Sequence, residues 1–356
     1  MIVNDVNDEK IKKNEFSKNV KVFNYGLAIL KSVLAFYVVV THGFKSNSTK
    51  NKVILYITSI NLRHVPSFFI MSFYFTSNKL LLLKIKIVYV RMQRLLIPYI
   101  FWPVIIWIMN NLINIIKKNR FPSSVKNLKL QLLWGAEFVP QFWYQWNLIA
   151  ISILFFIVIF IFRKHYLFVF YLLIISAYII QYSNYSYNNY YMKFPYYKRY
   201  TISRFFGMLP FAITGFILGE YKIIKLIEKF VLETLFWCVL IYKIFSNLRI
   251  FIGLCNYCYY GIELNIQALC VIFIFSLFPS DKIKNNLVKK IITILTNYSA
   301  GIYYLHITII HYLRSVLLDI KKGTFLGIVI NYLICYCICF FGMRIFRNTL
   351  FKYLFS

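Results

Sequence analysis

Long apolar runs separated by short polar stretches cover most of the chain. A run of about 20 apolar residues is long enough to cross a bilayer as an α-helix. Ten such runs recur from Phe23 onward, at 23–44, 53–77, 92–116, 143–162, 166–182, 204–219, 230–250, 262–279, 291–318 and 325–346. The pattern predicts an all-α fold, a polytopic membrane protein with about ten transmembrane helices in one bundle. The second run is the least regular, because Asn61, Arg63 and Pro66 interrupt it.

The composition favours the same class of protein. Of the 356 residues, 60% are hydrophobic and 15% are charged, whereas soluble domains average about 45–50% apolar and about 25% charged residues. A soluble domain could not bury this much apolar surface. We therefore expect a polar cytoplasmic N-terminal segment at 1–22, one transmembrane domain at 23–348 and a short C-terminal tail at 349–356.

The formal net charge is +30, but Lys and Arg are spread among short loops and form no basic face of the kind that binds nucleic acid. Basic loops are typical of membrane proteins, in which they set the orientation and contact anionic lipids. With the N-terminus inside, a modest majority of the basic residues falls on the cytoplasmic side. We therefore expect membrane lipids rather than nucleic acid as partners, a multi-pass protein of the plasma membrane, and both termini in the cytoplasm.

The seven cysteines lie in or beside apolar runs. Cys255 and Cys258 form a CxxC motif without a second pair, which is a weak signal for zinc or redox chemistry. We interpret the cysteines as small buried apolar residues, and predict no metal site and no bound cofactor.

Two ionisable residues interrupt the first apolar run, "LKSVLAFYVVVTHGF". A charge at the bilayer centre costs about 2.5–3.5 kcal/mol on insertion scales, so such residues usually have a partner or a function. Lys31 and His42 are eleven positions apart, which places them on one helical face about 16 Å apart. A shared face predicts that they line an interior passage. The alternative is that Lys31 snorkels to the headgroups and His42 lies at the outer interface.

The third run opens with "YVRMQRLLIPYIFWP", in which Arg91 and Arg94 are three positions apart and share a helical face. Paired guanidinium groups suit a polyanion, because each can bind phosphate oxygens bidentately. The alternative is an ordinary topology anchor at the inner edge of the membrane.

The ninth run, "NYSAGIYYLHITIIHYLR", places Tyr303, His306 and His311 in the membrane. The two histidines are five positions apart and do not share a face, which argues against a metal-binding pair. We interpret His311 as a buried core histidine. His64 and His165 are expected in loops.

Aromatic residues cluster in "FWYQW" at 142–146. Such residues could stack on a sugar, but more often they form a belt at the membrane interface, and we favour the belt.

Together these segments resemble the acyltransferase 3 family of integral membrane acyltransferases. The spacing of Lys31 and His42 matches the family's R/K-x10-H signature in the first helix, and "RMQRLLIPYIFW" is similar to its RxxRLxxPyxxW opening of the third helix. "VPSFFIMSFYF" resembles its PxFFxxSGF segment, with Phe73 where glycine is usual. "FWYQWNLIAISIL" and "YSAGIYYLH" resemble two later elements. The resemblance spans nearly all of 23–346.

The resemblance implies transfer of an acyl group, commonly acetyl, from cytoplasmic acyl-CoA to a hydroxyl of a carbohydrate-type or lipid-linked saccharide acceptor. His42 then matches the essential histidine, Lys31 its basic partner, and Arg91 and Arg94 the pair that handles acyl-CoA. Supporting roles are expected for four further residues, namely Tyr303, His306, Glu263 and Glu137. Histidine titrates near neutral pH, so His42 suits a general base acting on the acceptor hydroxyl. It could instead be acylated first as a nucleophile, and both routes stay open.

A transporter or flippase for lipid-linked saccharides is the alternative function, because ten helices with an intramembrane lysine and histidine also suit transport. The sequence shows neither an inverted repeat nor matching Gly/Pro-broken segments, which many transporters have. A non-catalytic membrane scaffold is a third interpretation. An assay of turnover distinguishes the acyltransferase from the transporter and the scaffold, since only the enzyme consumes acyl-CoA and releases free thiol.

Overall fold

The computed structural model describes residues 24–43, 62–116, 125–135, 140–186, 196–251, 261–278, 283–316 and 325–355. Within these ranges the regular structure consists of α-helices and two short 3-10 turns, at Pro140–Phe142 and Leu350–Leu354, and contains no strand. The α-helices are α1 (Tyr25–Gly43), α2 (His64–Tyr74), α3 (Ser77–Leu81), α4 (Ile85–Ile116), α5 (Val125–Trp134), α6 (Trp143–Phe162), α7 (Tyr166–Ser186), α8 (Tyr196–Glu220), α9 (Ile223–Ile227), α10 (Val231–Phe251), α11 (Ile262–Ser276), α12 (Asn286–Val316) and α13 (Phe325–Ile345). The prediction of an all-α fold is therefore confirmed for the described residues.

Each of the ten apolar runs overlaps at least one of these helices, but ten membrane spans are not confirmed. Five helices in the described part of the chain are long and apolar enough to cross a membrane. These five candidate spans are Tyr25–Gly43, Ile85–Leu112, Trp143–Phe162, Thr201–Glu220 and Phe325–Ile345. Two further apolar helices, Tyr166–Gln181 and Ile262–Ser276, are shorter.

The second apolar run shows why the count differs. Only an 11-residue helix, α2, occupies its described part. Arg63, directly before α2, has a left-handed backbone with φ of 50°, so the helix cannot extend further toward the N-terminus. Pro66 lies in the first turn of α2, where a missing N–H costs no helical hydrogen bond. His64 begins α2, and the expectation that it lies in a loop is therefore wrong.

Helices α1 and α2 lie at the centre of the bundle. α1 packs against α2, α11, α12 and α13, and α2 packs against α8 and α11. The contact between α2 and α8 is close because Gly215 faces the backbone of Ile70: a Cβ added at Gly215 would lie 2.1 Å from that carbonyl oxygen. Gly215 and Gly219 form a GxxxG motif, which lets membrane helices approach closely. This close packing fixes α2, and with it the residues that α2 contributes to the site.

Candidate active site

Three histidines from different helices meet at one end of the bundle. His42 lies in the last turn of α1, His64 begins α2, and His306 lies within α12. The rings of His42 and His306 are 5.1 Å apart between centroids. A positive charge on His42 would act electrostatically on both His64 and His306. We call these three residues the histidine cluster.

The members of the cluster differ in exposure. His306 is fully buried, whereas His42 is exposed. The Nδ1 atom of His306 lies 2.6 Å from the carbonyl oxygen of Tyr303, one turn earlier in α12. A carbonyl can only accept, so Nδ1 carries the proton and Nε2 carries the lone pair. This Nε2 atom is buried and has no hydrogen-bond partner among the described residues. The His42 ring thus contacts a buried ring of the bundle interior, although His42 as a residue is exposed.

Two arginines lie close to the histidine cluster. The Arg204 guanidinium lies over the Trp143 ring, 3.9 Å from its centroid, and its charge acts on His42. Arg63 is buried, and its Nε–H donates to Gln267 Oε1 at 2.6 Å. Both arginines were missed in the sequence, because nothing in their local motifs links them to His42.

The three predicted cations Lys31, Arg91 and Arg94 come together at the other end of α1. The charge of Arg94 acts on both Lys31 and Arg91. Lys31 and Arg91 are partly buried, and Arg94 is exposed. We call these three residues the arginine cluster. Three positive charges near one another repel, so their proximity favours an anionic ligand between them.

Arg91 is held in place by two helices. Its Nε–H donates to Ser152 Oγ of α6 at 3.0 Å, and its Nη2 lies 3.5 Å from Ser72 Oγ of α2. Its Cζ also lies 5.0 Å from the centroid of Phe73. The bulky side chain at 73 thus supports the guanidinium through a cation–π contact. This contact gives the bulky Phe73 side chain a physical role.

A row of aromatic rings connects the two clusters. Arg91 interacts electrostatically with Tyr144. The Tyr144 and Tyr303 rings are 4.9 Å apart, and Tyr303 lies 5.6 Å from His306. His306 then contacts His42. The row therefore leads from the arginine cluster to the histidine cluster through the interior of the bundle.

The aromatic segment at 142–146 contributes to this interior. Phe142, Trp143 and Tyr144 are buried, and Tyr144 packs against Phe69 of α2 at 4.8 Å. The expectation of an interfacial belt is therefore wrong for these residues. Two glutamines at helical spacing hold the segment: Gln141 and Gln145 make hydrogen bonds across to other helices, the latter by Nε2–H donation to the Leu95 carbonyl at 2.9 Å.

The remaining predicted site residues are placed as follows. Glu263 is buried in the first turn of α11, one turn before Gln267 and thus on the same helical face. Glu137 and the side chain of His311 lie outside the described residues. Tyr303 is buried, and its hydroxyl donates to the Gln141 carbonyl at 3.3 Å.

The cysteines behave largely as small apolar side chains. Cys238, Cys270, Cys335 and Cys339 are buried and Cys337 is exposed, whereas the CxxC pair lies outside the described residues. Within the described ranges, no group of three or more His, Cys, Asp or Glu side chains is arranged to hold a metal ion.

Comparison with known proteins adds one finding to this geometry. The family model of the acyltransferase 3 family, described as an acyltransferase domain, matches residues 24–344. The match therefore spans both clusters and the row of rings between them. No curated protein and no solved structure is significantly similar to the chain.

Proposed function

Because the chain belongs to the acyltransferase 3 family and is thus a membrane acyltransferase, we propose that it transfers an acyl group, by preference acetyl, from acyl-CoA to a hydroxyl of a carbohydrate-type acceptor. The observation that carries the proposal is the contact between the exposed His42 ring and the buried His306 ring at 5.1 Å. This contact gives a membrane helix a positioned, accessible imidazole at the end opposite a cluster of cations.

The donor binds first at the arginine cluster. Guanidinium groups pair with phosphate oxygens through charge-assisted hydrogen bonds. Arg91 is positioned for this by Ser152, Ser72 and Phe73, and Arg94 and Lys31 supply two further charges. The uncharged arm of acyl-CoA then extends along Tyr144 and Tyr303, so the thioester reaches His42.

The transfer step uses the imidazole of His42 as a base. His42 removes the proton from the acceptor hydroxyl, and the resulting oxygen attacks the thioester carbonyl. The carbon–sulfur bond breaks, the thiolate leaves, and it takes up the proton that His42 holds. An ester and free CoA thiol are the products. Attack by His42 itself, which gives an acyl-histidine intermediate, is the second route.

The acceptor approaches from the open side of His42. Its ring is exposed, which leaves room for a bulky hydrophilic molecule such as a saccharide. Arg204 is the nearby cation that acts on His42. The resemblance to the family also implies a hydroxyl acceptor that is often on a sugar.

The proposed orientation follows from the supply of the two substrates. Acyl-CoA is cytoplasmic, so the arginine cluster faces the cytoplasm and the histidine cluster faces the opposite side. This orientation agrees with the modest excess of basic residues that we assign to the cytoplasmic side. With this proposed orientation in the plasma membrane, both termini lie in the cytoplasm.

The test uses purified full-length protein in proteoliposomes. We expect it to release free thiol from acetyl-CoA when a saccharide acceptor is present, and we expect loss of the gene to remove one acyl unit from a surface glycan by mass spectrometry. His42→Ala should lower the rate by about a hundredfold or more, as expected for loss of a general base. His165→Ala is the matched control, because His165 is exposed and distant in sequence from every site residue. Transfer at the unsubstituted rate by His42→Ala would refute the role of His42.

One further measurement distinguishes base from nucleophile. The protein is mixed with acyl-labelled acetyl-CoA in the absence of acceptor and then denatured rapidly. Label bound to the unsubstituted protein but not to His42→Ala indicates an acyl-histidine. Label in neither indicates the general-base route.

A further inference from the structure

The C-terminal segment Thr349–Phe355 is attached to the body of the bundle. We call it the C-terminal strap. Trp102 of α4 donates its Nε1–H to the Leu354 carbonyl at 3.0 Å. Leu354 and Phe355 are buried, so the end of the strap is inserted between helices and does not extend away from them.

Phe355 is the residue that fixes the strap. Its ring stacks on Phe346 with centroids 5.8 Å apart and contacts Trp102 edge-on, also at 5.8 Å. Gly342 of α13 leaves room for this ring, because a Cβ at that position would lie 2.5 Å from it. Gly301 of α12 likewise faces the Phe355 backbone. The strap is therefore held by three helices, α4, α12 and α13, and by Phe346 in the turn after α13.

This attachment brings a tyrosine and a lysine to the arginine cluster. The Cζ atom of Arg94 lies 5.6 Å from the centroid of the Tyr353 ring, and the Nζ atom of Lys352 lies 5.3 Å from the same centroid. Tyr353 directly precedes the buried Leu354, so its position is fixed by the strap. Arg94 and Lys352 thus both contact the Tyr353 ring. Lys352 is a fourth cation beside the three of the arginine cluster.

We infer that the C-terminal strap is part of the donor site. Tyr353 positions Arg94, and Lys352 adds a charge for the phosphate groups of the acyl donor. This inference rests on the proposed function. Arg94 is exposed, so without a fixed neighbour its long side chain would lose much rotamer freedom when a ligand binds. Contact with the Tyr353 ring already restricts the Arg94 side chain before the ligand binds, so less rotamer entropy is lost on binding. Preorganisation of this kind raises affinity.

The first test compares full-length variants for binding of coenzyme A and for KM of acetyl-CoA. Tyr353→Leu should weaken binding about twofold to fivefold, the range for loss of a cation–π contact at an exposed site. Tyr353→Phe keeps the ring and should restore most of the affinity. The KM of the acceptor should not change in either variant, because the acceptor binds at the other cluster. Equal affinity in Tyr353→Leu and the unsubstituted protein would overturn the positioning role, and so would an equal loss in Tyr353→Phe.

The second test concerns charge and does not depend on the stability of Tyr353→Leu. Lys352→Gln should weaken coenzyme A binding about twofold to fivefold and reduce its dependence on salt concentration. Lys229→Gln, at an exposed lysine in the turn before α10, is the matched control and should change neither. Equal binding and equal salt dependence in Lys352→Gln and the control would exclude Lys352 from the donor site. Failure of the unsubstituted protein to bind coenzyme A would refute the proposed function together with this inference, whereas unchanged binding in the variants refutes only the inference.

Discussion

Replacing Phe73 with glycine should destabilise this protein. Phe73 is fully buried in α2, and its ring lies 4.7 Å from that of Phe155 in α6. The same ring lies 5.0 Å from the Arg91 guanidinium carbon. Phe73→Gly therefore removes both a packing contact between two helices and the support of Arg91, which we propose binds the donor.

The expected magnitude follows from these contacts. Truncation of a buried Phe costs about 3–5 kcal/mol in soluble cores. The lower end of that range applies in a bilayer, because lipid chains are as apolar as the residues in the core. Glycine costs about 1 kcal/mol in a helix interior. Position 73 is near the end of α2, so the glycine should add less than that to the loss of stability. We therefore expect a loss of about 3–4 kcal/mol in the free energy of unfolding, a large share of the about 5–15 kcal/mol typical of folded domains.

Thermal unfolding in detergent, followed by circular dichroism, measures this loss. Phe75→Gly is the matched control, because Phe75 is 52% exposed in the turn after α2, and its unfolding midpoint should change little. Phe73→Leu separates the two roles of the ring: it retains most of the volume but loses the cation–π contact, so it should raise the KM for acyl-CoA about twofold to fivefold with a small change in stability. An unfolding midpoint of Phe73→Gly equal to that of the unsubstituted protein would show that the ring is not part of the core.

Three other substitutions test the site and the packing around it. Arg91→Lys should raise the KM for acyl-CoA about tenfold in steady-state assays, because lysine cannot form the bidentate contact or donate to Ser152 from the same position. Gly215→Ala should lower the free energy of unfolding by about 2 kcal/mol or more in thermal unfolding, since its Cβ would overlap the Ile70 carbonyl and force α2 and α8 apart. Tyr304→Phe should cost about 1–3 kcal/mol in the same assay, because it leaves the buried Oε1 of Gln145 without its donor.

The helices and the order of the motifs could be predicted from the sequence, because both depend on local patterns. In the described part of the chain, runs of apolar residues indicate each region that contains a long helix, and the spacing of Arg91 and Arg94 indicates a cation pair. The contact between His42 and His306 could not be predicted in the same way, since it depends on how α1 and α12 pack. The position of His64 is mispredicted for a local reason: Arg63 and Pro66 interrupt the apolar run and suggest a loop, whereas they mark the beginning of α2.

The aromatic segment at 142–146 shows a second limit. Hydropathy does not distinguish a ring at the lipid interface from a ring inside the bundle, because both environments accept apolar surface. The signal that separates them is the pair Gln141 and Gln145, four positions apart and therefore on one helical face. A side-chain amide is expensive next to lipid but can bridge helices, as Gln145 does by donating to the Leu95 carbonyl. Likewise, "GFILG" at 215–219 is a readable signal for close packing of α8.

The separation of the two clusters also restricts the chemical class of the donor. Lys31 and His42 are eleven residues apart on α1, a rise of about 16 Å. A small acyl phosphate carries its anionic group next to the reacting carbonyl, so it could not contact the arginine cluster and His42 at the same time. A donor that does both must carry its phosphates at one end of a long uncharged arm and its acyl group at the other. The connection between the clusters consists of the Tyr144 and Tyr303 rings, which suit an uncharged arm and would not stabilise a second anionic group. If both clusters act as we propose, this geometry favours acyl-CoA as the donor over any acyl carrier in which charge and acyl group are adjacent.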